Sequence, residues 1–207
     1  MDLKSFIEPG VALARQAGDA ILEVYATDFD VQAKDDDSPR TQADLASHRI
    51  ISSGLENLTP ELPIISEESG LPPFEERRQW KTYWLIDPLD GTKEFVNKND
   101  EFTVNIALID AGRPLLGIVH VPVLAKTYLG CEGHGAELRQ GDGEPQSLRV
   151  AIESHNPVRV VGSRSHRGSS LDAFLEHLDD YASRTKREAE RVMVAELRGR
   201  HLLLPVP

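Results

Sequence analysis

Trp84-Leu85-Ile86-Asp87-Pro88-Leu89-Asp90-Gly91-Thr92-Lys93-Glu94-Phe95 is the stretch on which the reading of this chain turns. An apolar run delivers two carboxylates three residues apart, and Gly-Thr follows at once. Such carboxylates make either a divalent-metal site or an acidic turn. A hard cation such as Mg²⁺ takes oxygen ligands, usually one or two carboxylates completed by substrate phosphate. Upstream, Ser66-Glu67-Glu68 stands behind a second apolar run, Pro63-Ile64-Ile65. Two strand ends on one sheet edge would bring three carboxylates together. The chemistry that fits is metal-assisted hydrolysis of a phosphate ester.

The local signals sharpen this expectation and leave alternatives beside it. Asp87 is read as the end of a strand, because Pro88 cannot donate to a ladder. Gly91 permits a close backbone approach. A short helix starting after it would aim free N–H groups at a phosphate. The competing reading of Asp87–Thr92 is an Asp-Pro turn with Asp90 as a helix cap. Glu67 and Glu68 are adjacent, and the pattern leaves open which one points inward. Thr41-Gln42-Ala43-Asp44 has the form of a capping box, so Asp44 has a structural role available to it. Its functional alternative is to accept a hydrogen bond from Thr92, orienting that hydroxyl toward an attacking water. Ser163-Arg164-Ser165-His166, after a strand, reads equally as a phosphate or ribose contact and as an ordinary polar loop.

Outward from these motifs, the chain has 207 residues, 40% hydrophobic and 28% charged, as in a globular protein with a sizeable core. A net charge of -11 argues against a nucleic-acid polymer as partner, since such binders carry a basic stripe. An acidic protein still binds an anionic ligand where metal ions supply local positive charge. Cys131 is the single cysteine, which excludes an intrachain disulfide and a cysteine-based zinc site and suits a reducing compartment. The N-terminal residues lack a secretory pattern. No apolar run approaches the roughly 20 residues of a transmembrane helix. The expected setting is the cytoplasm, with peripheral association at the inner membrane compatible with it.

Residues 3–26 carry helical periodicity through Ile7, Val11, Ala14, Gly18, Ile21, Leu22 and Tyr25, with Pro9-Gly10 marking a late start or a kink. A second helix is expected from Thr41 to about Leu58, burying Leu45, Ile50, Ile51 and Leu55. Short strands follow at Ile64-Ile65, Tyr83–Ile86, Thr103–Ile109, Leu115–Val121 and Thr127–Leu129. A further strand near Val158–Val161 precedes a helix over about Ser170–Asp179. Leading helices followed by a strand meander predict an α+β, layered α-β-α fold with helices on a mainly antiparallel sheet. The expected division is an α+β metal-phosphatase domain over 1–150, the start of an α/β domain over 151–180, and a charged tail over 181–207.

With Ser-Glu-Glu at 66–68 and Asp-Pro-Leu-Asp-Gly-Thr at 87–92 in view, the chain resembles the lithium-sensitive, inositol monophosphatase-like superfamily with its sugar-phosphatase-like fold. Gly-Thr-Lys-Glu-Phe at 91–95 and Glu-Phe-Thr-Val-Asn-Ile-Ala-Leu-Ile at 101–109 resemble its 3'(2'),5'-bisphosphate nucleotidase branch. Thr59–Pro63 and Ser163–His166 resemble it too, and the likeness extends over about residues 1–180. It implies a cofactor of two or more Mg²⁺ ions. Glu67 would bind the first, Asp87 would bridge the two, Asp90 would hold the second, and the Leu89 carbonyl would join the first. Thr92 paired with Asp44 would activate water together with Glu67. The amides of Gly91 and Thr92 would bind phosphate, so that Glu67, Leu89, Asp90, Gly91 and Thr92 surround the substrate. The implied partner is a small nucleotide bisphosphate, and the implied reaction is adenosine 3',5'-bisphosphate to AMP and phosphate, clearing a by-product of sulfur assimilation. Oligomeric state stays open.

The resemblance stops near residue 180. The superfamily's Gly-Ser-Ser-Leu-Lys segment and its Trp-Asp-x-x-Ala-Gly motif, whose Asp completes the second metal site, have no counterpart, and Trp80 and Trp84 precede no Asp. The expectation is a truncated or frameshifted chain, with the second α/β half largely missing and 181–207 a substitute tail. Its alternatives in function are an inositol or sugar monophosphatase, against which Lys93-Glu94-Phe95 counts, and an inactive fragment.

Overall fold

Small residues on one face of the first helix set how closely it approaches the sheet. Helix α1 (Ile7–Tyr25) buries Ile7, Gly10, Val11, Ala14, Ala17, Gly18 and Ile21. A short 3₁₀ turn at Leu3–Phe6 precedes it. Pro9 falls in the first turn, where no intrahelical N–H is required, so the helix starts before the proline. The computed structural model describes residues 1–27, 31–33, 39–150, 159–160, 173–174, 176–177 and 193–194. The Ser163–His166 motif lies outside the described residues, as do most of the 170–179 helix and nearly all of the 181–207 tail.

Strands β1 (Val31–Ala33) and β2 (Pro39–Thr41) pair antiparallel. Helix α2 (Gln42–Leu58) follows directly, with Thr41 as its cap. It buries Ala43, Asp44, Ser47, Ile51 and Leu55, whereas Leu45 and Ile50 stay half-buried. Two polar residues thus occupy a face that periodicity assigns to apolar ones, and both belong to the site described below.

Seven strands form one sheet in sequential order: β3 (Ile64–Ser66), β4 (Thr82–Asp90), β5 (Thr103–Asp110), β6 (Arg113–Val121), β7 (Lys126–Cys131), β8 (Gly135–Gln140) and β9 (Gln146–Leu148). Only β3 and β4 run parallel; each later pair is antiparallel. The mainly antiparallel sheet with N-terminal helices packed on it is the fold the sequence predicts. Trp84, Ile86, Val104, Ile106, Leu108, Leu116 and Ile118 form one core with α1 and α2. Buried Trp84 donates its indole N–H to Thr59 Oγ1 at 2.8 Å, satisfying the one polar atom of that ring.

Two readings of strand extent need correction. Strand β4 does not end at Asp87 but runs on to Asp90, with a register shift between Asp87 and Asp90. Pro88 is accommodated by that bulge, where no ladder N–H is demanded. Strands β8 and β9 fall between Thr127–Leu129 and Val158–Val161, where the sequence reading places no strand. The chain separates into two compact units, Met1–Leu148 and Arg149–Pro207. In the second, Arg159–Val160 pairs parallel with Met193–Val194.

Candidate active site

Parallel pairing of β3 with β4 sets Ser66 opposite Ile86. Glu67, directly after β3, and Asp87, still within β4, therefore follow this pair side by side. Both line a cavity of about 620 Å³, together with Ser66, Asn105 and an apolar wall that includes Leu71, Leu85, Ala107 and Val119. Atom Oδ1 of Asp87 is shut off from solvent. Glu67 is exposed and begins a single 3₁₀ turn, Glu67–Ser69, capped by the Ser66 hydroxyl. Of the two adjacent glutamates, Glu67 lines the cavity and Glu68 is half-buried beside it.

Beyond Asp87 the bulge changes which way side chains face. Asp87 pairs in register with Asn105 and Asp90 with Thr103, leaving Pro88 and Leu89 without partners on β5. Leu89 turns into the core, and Asp90 emerges exposed. Asn105 donates from Nδ2 to Asp90 Oδ2 at 3.3 Å, and Thr103 donates its hydroxyl to Asn105 Oδ1 at 3.3 Å. Sequence reasoning missed Asn105 and Thr103 as site residues. Their alternation on a strand antiparallel to the acidic one was the available signal.

The chain then reverses through Gly91 at φ 92°, in the left-handed region, where a Cβ would stand 2.7 Å from the Glu101 carbonyl oxygen. Both facts require glycine. Helix α4 (Thr92–Val96) starts here, after a short α3 (Phe74–Arg77) earlier in the chain. Phe95 anchors α4, with ring centroids 5.3 Å from Phe102 and 5.1 Å from Tyr25. The expected helix start after Gly91 is present.

Asp44 makes both of the contacts that its position suggests. Its Oδ2 accepts from the Thr41 N–H at 2.7 Å and from the Thr41 hydroxyl at 2.6 Å, completing a capping box. Its Oδ1 accepts from the Thr92 hydroxyl at 3.3 Å. Thr92 Oγ1 also stands 3.3 Å from the Leu89 carbonyl oxygen. One hydroxyl proton serves one of these two acceptors at a time.

Among the described residues, no group of three or more His, Cys, Asp or Glu side chains is gathered tightly enough to hold a metal ion. The donors nonetheless suit a hard cation. Two carboxylates share one cavity, a third stands at the bulge beside them, and a main-chain carbonyl adjoins. Mg²⁺ commonly binds through one or two carboxylates and leaves the rest to water and phosphate. In donor type Glu67 and Asp87, which share the cavity, suit such an ion, and Leu89 and Asp90 follow along β4.

Fold and site together define a phosphatase scaffold, and the family comparison agrees: residues 2–198 match the inositol monophosphatase family, to which the chain belongs. Its relatives include the 3'(2'),5'-bisphosphate nucleotidase CysQ of Escherichia coli O157:H7, 47% identical over 171 residues that cover 82% of this chain and 68% of that one. CysQ of Salmonella typhimurium LT2 is 45% identical over 177 residues, covering 84% and 70%. Among solved structures, CysQ from Bacteroides thetaiotaomicron superposes with a TM-score of 0.71 at 33% identity, covering 87% of this chain and 70% of that one. No described helix is long and apolar enough to cross a membrane.

Proposed function

We propose that this chain hydrolyses the 3'-phosphate of adenosine 3',5'-bisphosphate to AMP and phosphate with Mg²⁺, in the recycling of a sulfur-assimilation by-product. The observation that carries the reading is the pair Glu67 and Asp87, delivered side by side into one cavity. Identities of 45–47% to relatives named as bisphosphate nucleotidases support the choice of substrate.

Bound Mg²⁺ would lower the pKa of an attacking water and stabilise charge on the phosphoryl oxygens. Glu67, Asp87 and Asp90 with the Leu89 carbonyl are the residues that would hold it. Glu67 and the Thr92–Asp44 pair take up the proton released as water oxygen bonds to phosphorus. The bond to the 3' oxygen breaks, and that oxygen takes a proton from solvent water to leave as the hydroxyl of AMP. Were the Leu89 carbonyl to hold the cation, the Thr92 hydroxyl would donate to Asp44 alone, the geometry a relay needs. The backbone N–H groups of Gly91 and Thr92 donate to the phosphate. Every one of these residues lies within Met1–Leu148.

Phosphate release with Mg²⁺ from the purified 207-residue chain tests the reading, comparing adenosine 3',5'-bisphosphate with inositol 1-phosphate. Preference for the nucleotide and inhibition by Li⁺ are expected. Preference for inositol 1-phosphate would replace it with a sugar-phosphatase reading. Release no faster than from an Asp87→Asn variant would mark the chain as inactive.

A further inference from the structure

We propose that α2 is the positioning element of this site, with Ser47 and His48 holding the two backbone turns that carry its carboxylates. The inference rests on the metal-site reading above. Asp44, Ser47 and His48 stand at i, i+3 and i+4, on one helix face. Each reaches a different segment of the site. Asp44 accepts from Thr92 at 3.3 Å. Ser47, fully buried, donates to the Pro88 carbonyl at 2.6 Å. Half-buried His48 is hydrogen-bonded through Nδ1 to the Ser66 hydroxyl at 2.8 Å.

The Pro88 carbonyl lies between Asp87 and Asp90, inside the bulge where β5 offers no register partner. A buried carbonyl taken out of its ladder requires another donor. Ser47 supplies it and so fixes the path of the backbone from Asp87 to Asp90. Ser66 has the matching position ahead of Glu67. Its hydroxyl caps the 3₁₀ turn at the Glu68 N–H, 3.3 Å away, while His48 holds that same hydroxyl from the helix. Farther along the same helix the buried face is apolar, at Ile51 and Leu55. The contacts to the acidic turns thus come from the N-terminal end of α2, with the Ser52 hydroxyl 3.4 Å from His48 Nδ1 one turn on.

Groups that orient metal ligands typically contribute about 10–100-fold to metal affinity. Mn²⁺ binding by the full chain, read by electron paramagnetic resonance well below the unfolding temperature, separates positioning from bulk stability. The expected result is that Ser47→Ala and His48→Ala each weaken Mn²⁺ binding about tenfold. Ser47→Thr, which keeps the hydroxyl, and His48→Asn, which keeps a polar atom near Nδ1, should restore most of it. Asp87→Asn is the control and should remove the binding. Wild-type affinity in folded Ser47→Ala and His48→Ala, with binding lost in Asp87→Asn, would overturn the inference and leave the metal reading standing. Unchanged binding in Asp87→Asn would overturn both. If the alanine variants fail to fold, His48→Asn against His48→Gln decides, since glutamine places its amide too far out for Ser66. Tighter Mn²⁺ binding by the asparagine variant supports the inference, and equal binding by the two overturns it.

Discussion

Thr92 carries one hydroxyl proton with two acceptors at equal distance, Asp44 Oδ1 and the Leu89 carbonyl, both 3.3 Å away. Removing the hydroxyl without changing side-chain shape isolates its part in the chemistry. Thr92→Val is expected to lower the rate of phosphate release about 100-fold, the low end of general acid–base contributions, while Thr92→Ser stays near wild type. A valine variant retaining a tenth or more of the activity would remove Thr92 from the mechanism. Gly91→Ala addresses the turn before it. The left-handed backbone and the 2.7 Å approach to the Glu101 carbonyl predict a loss of about 1–3 kcal/mol in urea unfolding. At this scale the sequence was informative where chemistry and backbone agree: carboxylates behind apolar runs, and glycine after them. It was silent on Ser47, His48 and Asn105. Their residue types are ordinary on a helix or strand, and only the parallel β3–β4 pairing and the bulge bring them to the acidic turns.

At the scale of elements, α1 and α2 were legible because burial of one face imposes a 3.6-residue period. The extent of β4 was not. Proline argues for a strand end in any sequence, and only the register shift against β5 shows that the strand passes through it. Strand β8 was hidden for a related reason, since Gly133 and Gly135 at its start favour a turn until β7 supplies the ladder. The closeness of α1 to the sheet gives a prediction. A Cβ on Gly18 would lie 2.6 Å from His120 Cδ2, 2.8 Å from His120 Nε2 and 3.2 Å from Pro122 Cγ. His120 is buried on β6 with Nδ1 hydrogen-bonded to Thr127 at 3.0 Å, so its ring has little room to yield. Gly10 meets only the terminal Cδ1 of Ile118, at 2.6 Å, which a rotamer change can move aside. Gly18→Ala should therefore cost about 1–3 kcal/mol and Gly10→Ala less, measured by urea unfolding. The reverse order would show that α1 is free to slide on the sheet.

Across the folded unit as a whole, helix and sheet are joined by charge as well as by apolar packing. Arg139 on β8 sends Nη1 and Nη2 to the Glu8 carboxylate at 2.8 and 2.7 Å and Nε to Glu137 at 2.7 Å. The guanidinium holds the Glu8 carboxyl below the usual carboxylate range. Arg139→Met would leave Glu137, itself mostly buried, without this partner and should lower stability by about 3 kcal/mol. His120 contributes to the response of the same unit to acid. Burial, with a smaller contribution from the Arg15 charge, lowers its pKa from 6.5 to about 4. The unfolded chain therefore binds this proton more readily than the folded one between those values. Stability from this residue is complete above pH 6.5, falls as the pH drops from there toward 4, and changes no further below. The two pKa values give a loss of about 2 kcal/mol at pH 5. Carboxylates also titrate in acid, so the informative quantity is the difference from His120→Asn, which keeps a polar side chain and removes the titration. Urea unfolding at pH 7.5 and pH 5 should show wild type losing about 2 kcal/mol more than the variant. Equal losses would mean that His120 takes up its proton in the folded protein without opening the α1–β6 interface.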